Sequence, residues 1–162
     1  MDLSVRRARP DEASALSSLA IASKAHWQYT PAQLAAWKKG LVVSPEMVDA
    51  LPAYVAEVGA VMAGFFVLVP DGARWKLEHF WVHPELMSRG VGRRMLASAT
   101  AIAAQGGATS VLVESDPNAE RFYMACGAER NGELAAPIAG APNRVLPLLI
   151  LSVSCPTKTF CP

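Results

Sequence analysis

The sequence predicts a single α/β (α+β) domain, a central mixed but mostly antiparallel sheet flanked by helices, and three observations carry that prediction. Closely spaced β-rich runs fill residues 53–82, a glycine-bearing turn then feeds a long alanine-rich helix and a further strand, and two helical segments precede them all. At 162 residues, with 52% apolar and 18% charged, the chain suits one ordinary core and is short for two.

The elements follow in order. Val5-Arg6-Arg7 reads as a short first strand, and Pro10-Asp11-Glu12 as a helix start with acids in the first turn, continued by Leu16, Leu19 and Ala20 at helical spacing. Thr30-Pro31 supplies a capping threonine and a proline at the first helical position for a helix carrying Leu34 and Trp37, and Ser44-Pro45-Glu46 repeats the signal. Two runs, 53–58 and 61–69, flank Gly59 as a hairpin, and Pro70-Asp71-Gly72 turns the chain into a strand over 75–82. A helix over 91–105 ends at Gly106-Gly107, and 110–114 reads as a strand. Pro117-Asn118 opens a short helix closed by Cys126-Gly127, 128–132 reads as extended, and 144–153 is the last strong strand. Residues 1–153 are expected to form the domain and 154–162 a loose tail.

Composition narrows the function classes. A formal charge of +1 offers no broad attraction to nucleic acid or an anionic membrane. The longest apolar runs, 61–69 and 145–153, fall far short of the roughly 20 residues of a membrane-spanning helix. Asp2, Arg6, Arg7 and Arg9 leave no apolar signal-peptide core near Met1, so a cytoplasmic location is expected. Cys126, Cys155 and Cys161 match no common zinc spacing, and no metal is expected.

The chemistry concentrates where the strand ending Trp81-Val82-His83-Pro84 meets the loop Arg89-Gly90-Val91-Gly92 and the helix behind it. A helix N-terminus so placed aims several backbone N–H groups at one point, an anion cradle. Gly90 and Gly92 let the backbone approach a phosphate without a Cβ in the way, while Arg89, Arg93 and Arg94 add positive charge. No Gly-Lys-Ser/Thr follows, and Met95 stands where a dinucleotide fingerprint needs its third glycine.

With the run Met87-Ser88-Arg89-Gly90-Val91-Gly92 the sequence resembles the GCN5-related N-acetyltransferase family, whose signature is Gln/Arg-x-x-Gly-x-Gly/Ala after the fourth strand; Met87 replaces the first signature residue. A second block agrees: Glu114-Ser115-Asp116-Pro117-Asn118-Ala119, then Phe122-Tyr123 and Cys126-Gly127-Ala128, is similar to the family's fifth strand, following helix and turn. The resemblance spans about residues 4–153 and implies fourth and fifth strands splayed to admit pantetheine, with acetyl-CoA as cosubstrate.

By the same resemblance Ser88, Arg89, Gly90, Val91, Gly92, Arg93 and Arg94 would hold the pyrophosphate. The N–H of Phe80 would face the thioester oxygen, and the main chain of Val82 would pair with pantetheine. Tyr123 matches the family's general acid, with helix packing as its competing reading. Glu78 is the best base, against a water chain or a plain salt bridge. Asn118 would sit near the pantetheine or thiol, or simply start a helix. His26, Trp27 and Tyr29 lie where the family builds its acceptor pocket, or merely pack a helical hairpin. His79 and His83 read as structural or exposed.

The expected activity is acetyl transfer to an amine of a small molecule or peptide by direct attack. The alternatives are a non-catalytic acetyl-CoA sensor and, less favoured, acylation of a macromolecule such as a protein N-terminus or aminoacyl-tRNA. A homodimer through strand exchange or sheet extension at 144–153 is a further expectation.

Overall fold

The computed structural model describes residues 1–154; Cys155, Cys161 and nearly all of the expected tail lie outside the described residues. The strands are β1 Leu3–Arg7, β2 Ala53–Val58, β3 Val61–Val69, β4 Arg74–Val82, β5 Ser110–Glu114, β6 Glu129–Ala135 and β7 Val145–Ser152. The helices are α1 Ala13–Ala25, α2 Pro31–Trp37, α3 Pro45–Ala50, α4 Val91–Gln105 and α5 Glu120–Ala125. The seven strands form one sheet in the order β1-β2-β3-β4-β5-β7-β6, and only the β4–β5 pair is parallel.

Local signals set most boundaries. Thr30 and Ser44 each accept a hydrogen bond from the backbone N–H three residues on, capping α2 and α3 as expected. Residues Pro10–Glu12 instead form a separate 3-10 turn before α1. Glu12 caps that turn by accepting from the Arg9 backbone N–H at 2.8 Å, and Arg6 donates to both of its oxygens at 3.0 and 2.7 Å.

Both sheet faces are covered, which explains the uninterrupted apolar run of β3. Phe66 and Leu68 face the layer containing Met95 and Leu96 of α4, whereas Phe65 and Val67 face Leu16, Leu19 and Val48 of α1 and α3. Gly64 permits the first contact: a Cβ there would lie 2.5 Å from the Trp81 carbonyl oxygen and 2.6 Å from Met95 Sδ.

The strand expected over 128–132 runs from Glu129 to Ala135 and forms one edge of the sheet, with β1 at the other. The 144–153 segment lies inside, paired to β5 on one side and β6 on the other. It is paired on both sides over 148–150, so it is an interior strand and not the sheet edge that the expected extension needs.

A β-bulge shapes β4. Leu77 opposes Leu68 while His79 opposes Val67, leaving Glu78 as an extra residue. On the far side, pairing with β5 runs through Arg74↔Ser110, Trp75↔Val111 and Lys76↔Leu112 and then stops. The two strands part where the bulge begins, because a bulge bends its strand and increases the local twist.

Candidate active site

The parting leaves a cleft of about 410 Å³ between β4, β5, the start of α4, α5 and the end of α1. On the β4 wall the main chain is open. His83 N–H donates to Ala63 C=O at 2.8 Å, and Gly64 opposes Val82, so residues 83, 81 and 79 make the hydrogen-bonded pairs with β3. By the alternation of an antiparallel ladder, the N–H and C=O groups of Phe80 and Val82 then point away from β3, toward the cleft that both residues line.

At one end of the cleft the chain turns through two left-handed residues, Ser88 at φ 60° and Gly90 at φ 82°, into α4. A Cβ on Gly90 would meet nothing within 4 Å, so its backbone angle alone demands glycine. The first intrahelical bond there is Arg94 N–H to Gly90 C=O at 3.2 Å, which leaves the N–H groups of Val91, Gly92 and Arg93 without helical partners. Met87, Ser88, Gly90, Gly92 and Arg93 line the cleft. Val91 contributes only its backbone, since its side chain is fully buried in the core. The Arg94 side chain turns away to donate to the carbonyls of Met1 and Leu3 at 3.0 and 3.2 Å, and Arg89 is exposed beside the cleft rather than lining it.

From the opposite wall α5 presents Tyr123, 6% exposed and packed on Phe80 and Phe122. Burial pushes its phenol far above the ordinary value. Among the described residues its hydroxyl makes no hydrogen bond, yet no buried side-chain N or O lacks a partner. The hydroxyl therefore opens onto the cleft. Gly92 lets α4 approach this cluster, since a Cβ there would lie 3.2 Å from the Phe122 ring and 3.6 Å from Val82.

The remaining wall gathers Glu78, Glu114, Asp116, Asn118, Ser23 and Trp27. Glu78 and Glu114 share Lys76, at 3.0 and 3.4 Å from its Nζ. Trp81 is held by donation from its indole N–H to Nδ1 of buried His79 at 3.1 Å, and burial lowers the His79 pKa, favouring the neutral ring that can accept this bond. The structural reading of His79 thus describes its place.

Behind this wall lies a buried ionic cluster. Lys24 contacts Asp116 at 2.5 Å, Tyr29 donates its hydroxyl to the same carboxylate at 2.8 Å, and Arg144 stands 3.6 Å away. Burial alone would raise the Asp116 carboxyl, but the Lys24 hydrogen bond and charge, together with bonds from the Asn118 N–H and the Tyr29 hydroxyl, hold the carboxyl below its usual range. Lys24 and Arg144 also stack on the Trp37 ring at 4.3 and 5.1 Å from its centroid. Of the three expected acceptor residues, Trp27 lines the cleft, Tyr29 belongs to this cluster, and exposed His26 packs edge-on against Trp27. Asn118 lines the cleft and donates to Tyr29 and Asp116 at 3.1 and 3.0 Å.

Sequence reading missed Ser23, Glu114, Asp116, Trp81 and Phe122 as cleft residues, and Lys24 and Arg144 as their support. Glu114, Asp116 and Phe122 carried a signal, being part of the second matched block. Among the described residues no helix is long and apolar enough to cross a membrane, and no group of three or more His, Cys, Asp or Glu side chains could hold a metal.

Residues 17–128 match the acetyltransferase (GNAT) family. A search of curated proteins found no match. Among solved structures, PaiA N-acetyltransferase from Thermoplasma acidophilum, in complex with coenzyme A, superposes with TM-score 0.76 at 15% identity over 94% of this chain and 99% of that one. The ribosomal-protein-S18-alanine N-acetyltransferase of Escherichia coli does so with TM-score 0.72 at 13% identity over 99% of each chain. The IAA acetyltransferase from Bacillus cereus gives TM-score 0.67 at 17% identity over 94% of this chain and 100% of that one. The open main-chain edge, the unpartnered N–H groups at the start of α4 and the cleft between them suit an extended thioester ending in a pyrophosphate, and with the family match over most of its length they identify the chain as a member of the GNAT family, an acetyl-CoA-dependent N-acetyltransferase.

Proposed function

We propose that the protein acetylates a primary amine of a small molecule or peptide by direct attack, with both substrates bound in the split between β4 and β5. The observation that carries this reading is the pairing of an open β4 edge at Phe80 and Val82 with an unpartnered Tyr123 hydroxyl across the same cleft. Acetyl-CoA supplies the activated acetyl group as a thioester.

In this reading the N–H groups of Val91, Gly92 and Arg93, with the Arg93 side chain, hold the pyrophosphate by charge-assisted bonds. Ser88 and Gly90 shape the turn that presents them. The main chain of Val82 pairs with pantetheine as an added strand would, and the Phe80 N–H stabilises negative charge developing on the thioester oxygen. Glu78, directly or through water, takes the proton that the amine must lose. The amine nitrogen then bonds to the acetyl carbon as the carbon–sulfur bond breaks, and Tyr123 gives its proton to the departing thiolate. Asn118 braces the thiol end of the cleft, and Trp27 walls the acceptor side.

The test is calorimetric titration of acetyl-CoA into the protein and a Gly90→Glu variant, with thiol release followed over polyamines, aminosugars, amino acids and peptides. Binding lost in the variant, with thiol release on an amine, supports the proposal. Binding without release on any amine favours a ligand-holding role, and no binding refutes the site.

A further inference from the structure

Ser23 on α1 is 2% exposed and lines the cleft, yet the scheme above leaves it idle. Other helical hydroxyls satisfy themselves locally: Ser17, Ser98 and Thr100 each donate to the carbonyl four residues earlier. The Ser23 hydroxyl makes no such bond among the described residues, and since no buried side-chain N or O lacks a partner, it must reach the open cleft. A hydroxyl nine-tenths buried, and free of its own helix, is poised for a ligand.

The charges around it indicate what that ligand is. The side chains of Glu78 and Glu114, 37% and 34% exposed, share the single ammonium of Lys76, leaving negative charge in surplus. Asp116 is balanced from behind by Lys24 and Arg144. Lys24, Lys76 and Arg144 are not among the cleft-lining residues, and Arg93, which is, belongs to the start of α4. Away from the start of α4, the polar lining of the cleft is therefore made of carboxylates, the Ser23 and Ser115 hydroxyls, the Asn118 amide and the indoles of Trp27 and Trp81, with Ser115 and Asn118 already donating within the protein.

We propose that Ser23, Glu78 and Glu114 form the acceptor subsite, and that the acceptor is a primary amine arriving as an ammonium with no carboxylate beside it. This rests on the N-acetyltransferase reading. The Ser23 oxygen accepts an ammonium N–H, Glu114 supplies the attracting charge, and Glu78 takes the first proton to free the amine lone pair; the second, shed as the nitrogen is acylated, passes through water to restore the Tyr123 phenol that protonated the thiolate. A carboxylate next to the amine would be driven against Glu78 and Glu114 at short range, and the site rejects it.

The test uses matched pairs. The protein is first titrated with coenzyme A, and the complex is then titrated with phenethylamine against phenylalanine and with 1,4-diaminobutane against ornithine, read by calorimetry and by tryptophan fluorescence. At least one amine should bind, with its carboxylated counterpart about 10-fold weaker or worse. Ser23→Ala and Glu114→Gln should each weaken that amine about 10-fold, the scale of a hydrogen bond to a charged group, while coenzyme A affinity stays within about twofold. Equal affinity for amine and amino acid, no response to either variant, or failure of both amines to bind the complex overturns the proposal. Failure of the first titration instead overturns the N-acetyltransferase reading on which it rests.

Discussion

Tyr123→Phe separates catalysis from folding in a single atom. The hydroxyl has no partner within the described protein and opens onto the cleft, so its removal breaks no internal hydrogen bond, and the remaining ring keeps its packing on Phe80 and Phe122. Stability should change by no more than about 0.5 kcal/mol, roughly 2 °C or less in Tm for a chain of this size. If the hydroxyl protonates the leaving thiolate, kcat should fall by about 10²–10⁴-fold, or roughly 3–5 kcal/mol of barrier, at unchanged acetyl-CoA affinity. Because burial lifts this phenol above its usual range, the wild-type rate should show no loss attributable to Tyr123 up to about pH 10. Thiol release under saturating substrates and thermal unfolding by circular dichroism read the two effects. A Tm lowered by many degrees, or kcat within threefold of wild type, would refute the assignment and leave Tyr123 a packing residue.

Further outcomes are expected. Gly92→Ala places a Cβ 3.2 Å from the Phe122 ring; the better helix former offsets the crowding and the family signature admits Ala there, so stability should stay within about 1 kcal/mol and acetyl-CoA affinity within about threefold, as thermal unfolding and calorimetry will show. Asp116→Asn leaves Lys24 and Arg144 as buried, uncompensated cations and should cost about 3–5 kcal/mol in urea unfolding; Lys24→Met in the same background should recover part of it. His79 has a lowered folded pKa, so the unfolded chain binds more protons below about pH 6.5 and stability is lost as pH falls through that window; His79→Phe should flatten this limb of the pH–stability curve. Arg94→Ala removes two bonds to the N-terminal segment, at Met1 and Leu3, and should cost about 1–2 kcal/mol in chemical unfolding, with acetyl-CoA affinity within about twofold.

The helix α4 was legible to its last residue, because Gly90 and the Gly106-Gly107 pair bracket it, Gly90 and Gly107 taking the left-handed backbone at φ 82° and 96°. β2, β3 and β5 were equally plain, since their apolar runs end at turn residues. The cradle loop and Tyr123 could be brought to one cleft from the sequence because each lies within a contiguous motif that resembles the family's. What escaped depends on contacts between distant segments. Lys24 and Arg144 meet around Asp116 across three separate stretches of chain, and nothing local distinguishes them from solvated charges. Ser23 looks like any serine on an amphipathic helix until its missing internal bond is seen. The β4 bulge escaped because Leu77-Glu78-His79 reads as unbroken alternation, and only the register against β3 exposes the extra residue.

That extra residue gives the cleft a minimal genetic origin. Deleting Glu78 alone would let β4 continue straight beside β5, extending their ladder past Lys76 and Leu112 and zipping the sheet shut. The shortened protein would be the better-ordered sheet and the poorer enzyme, having traded its substrate entrance for backbone hydrogen bonds. The expectation is that one inserted residue, rather than a rebuilt layer, keeps β4 and β5 apart beyond Lys76 and Leu112.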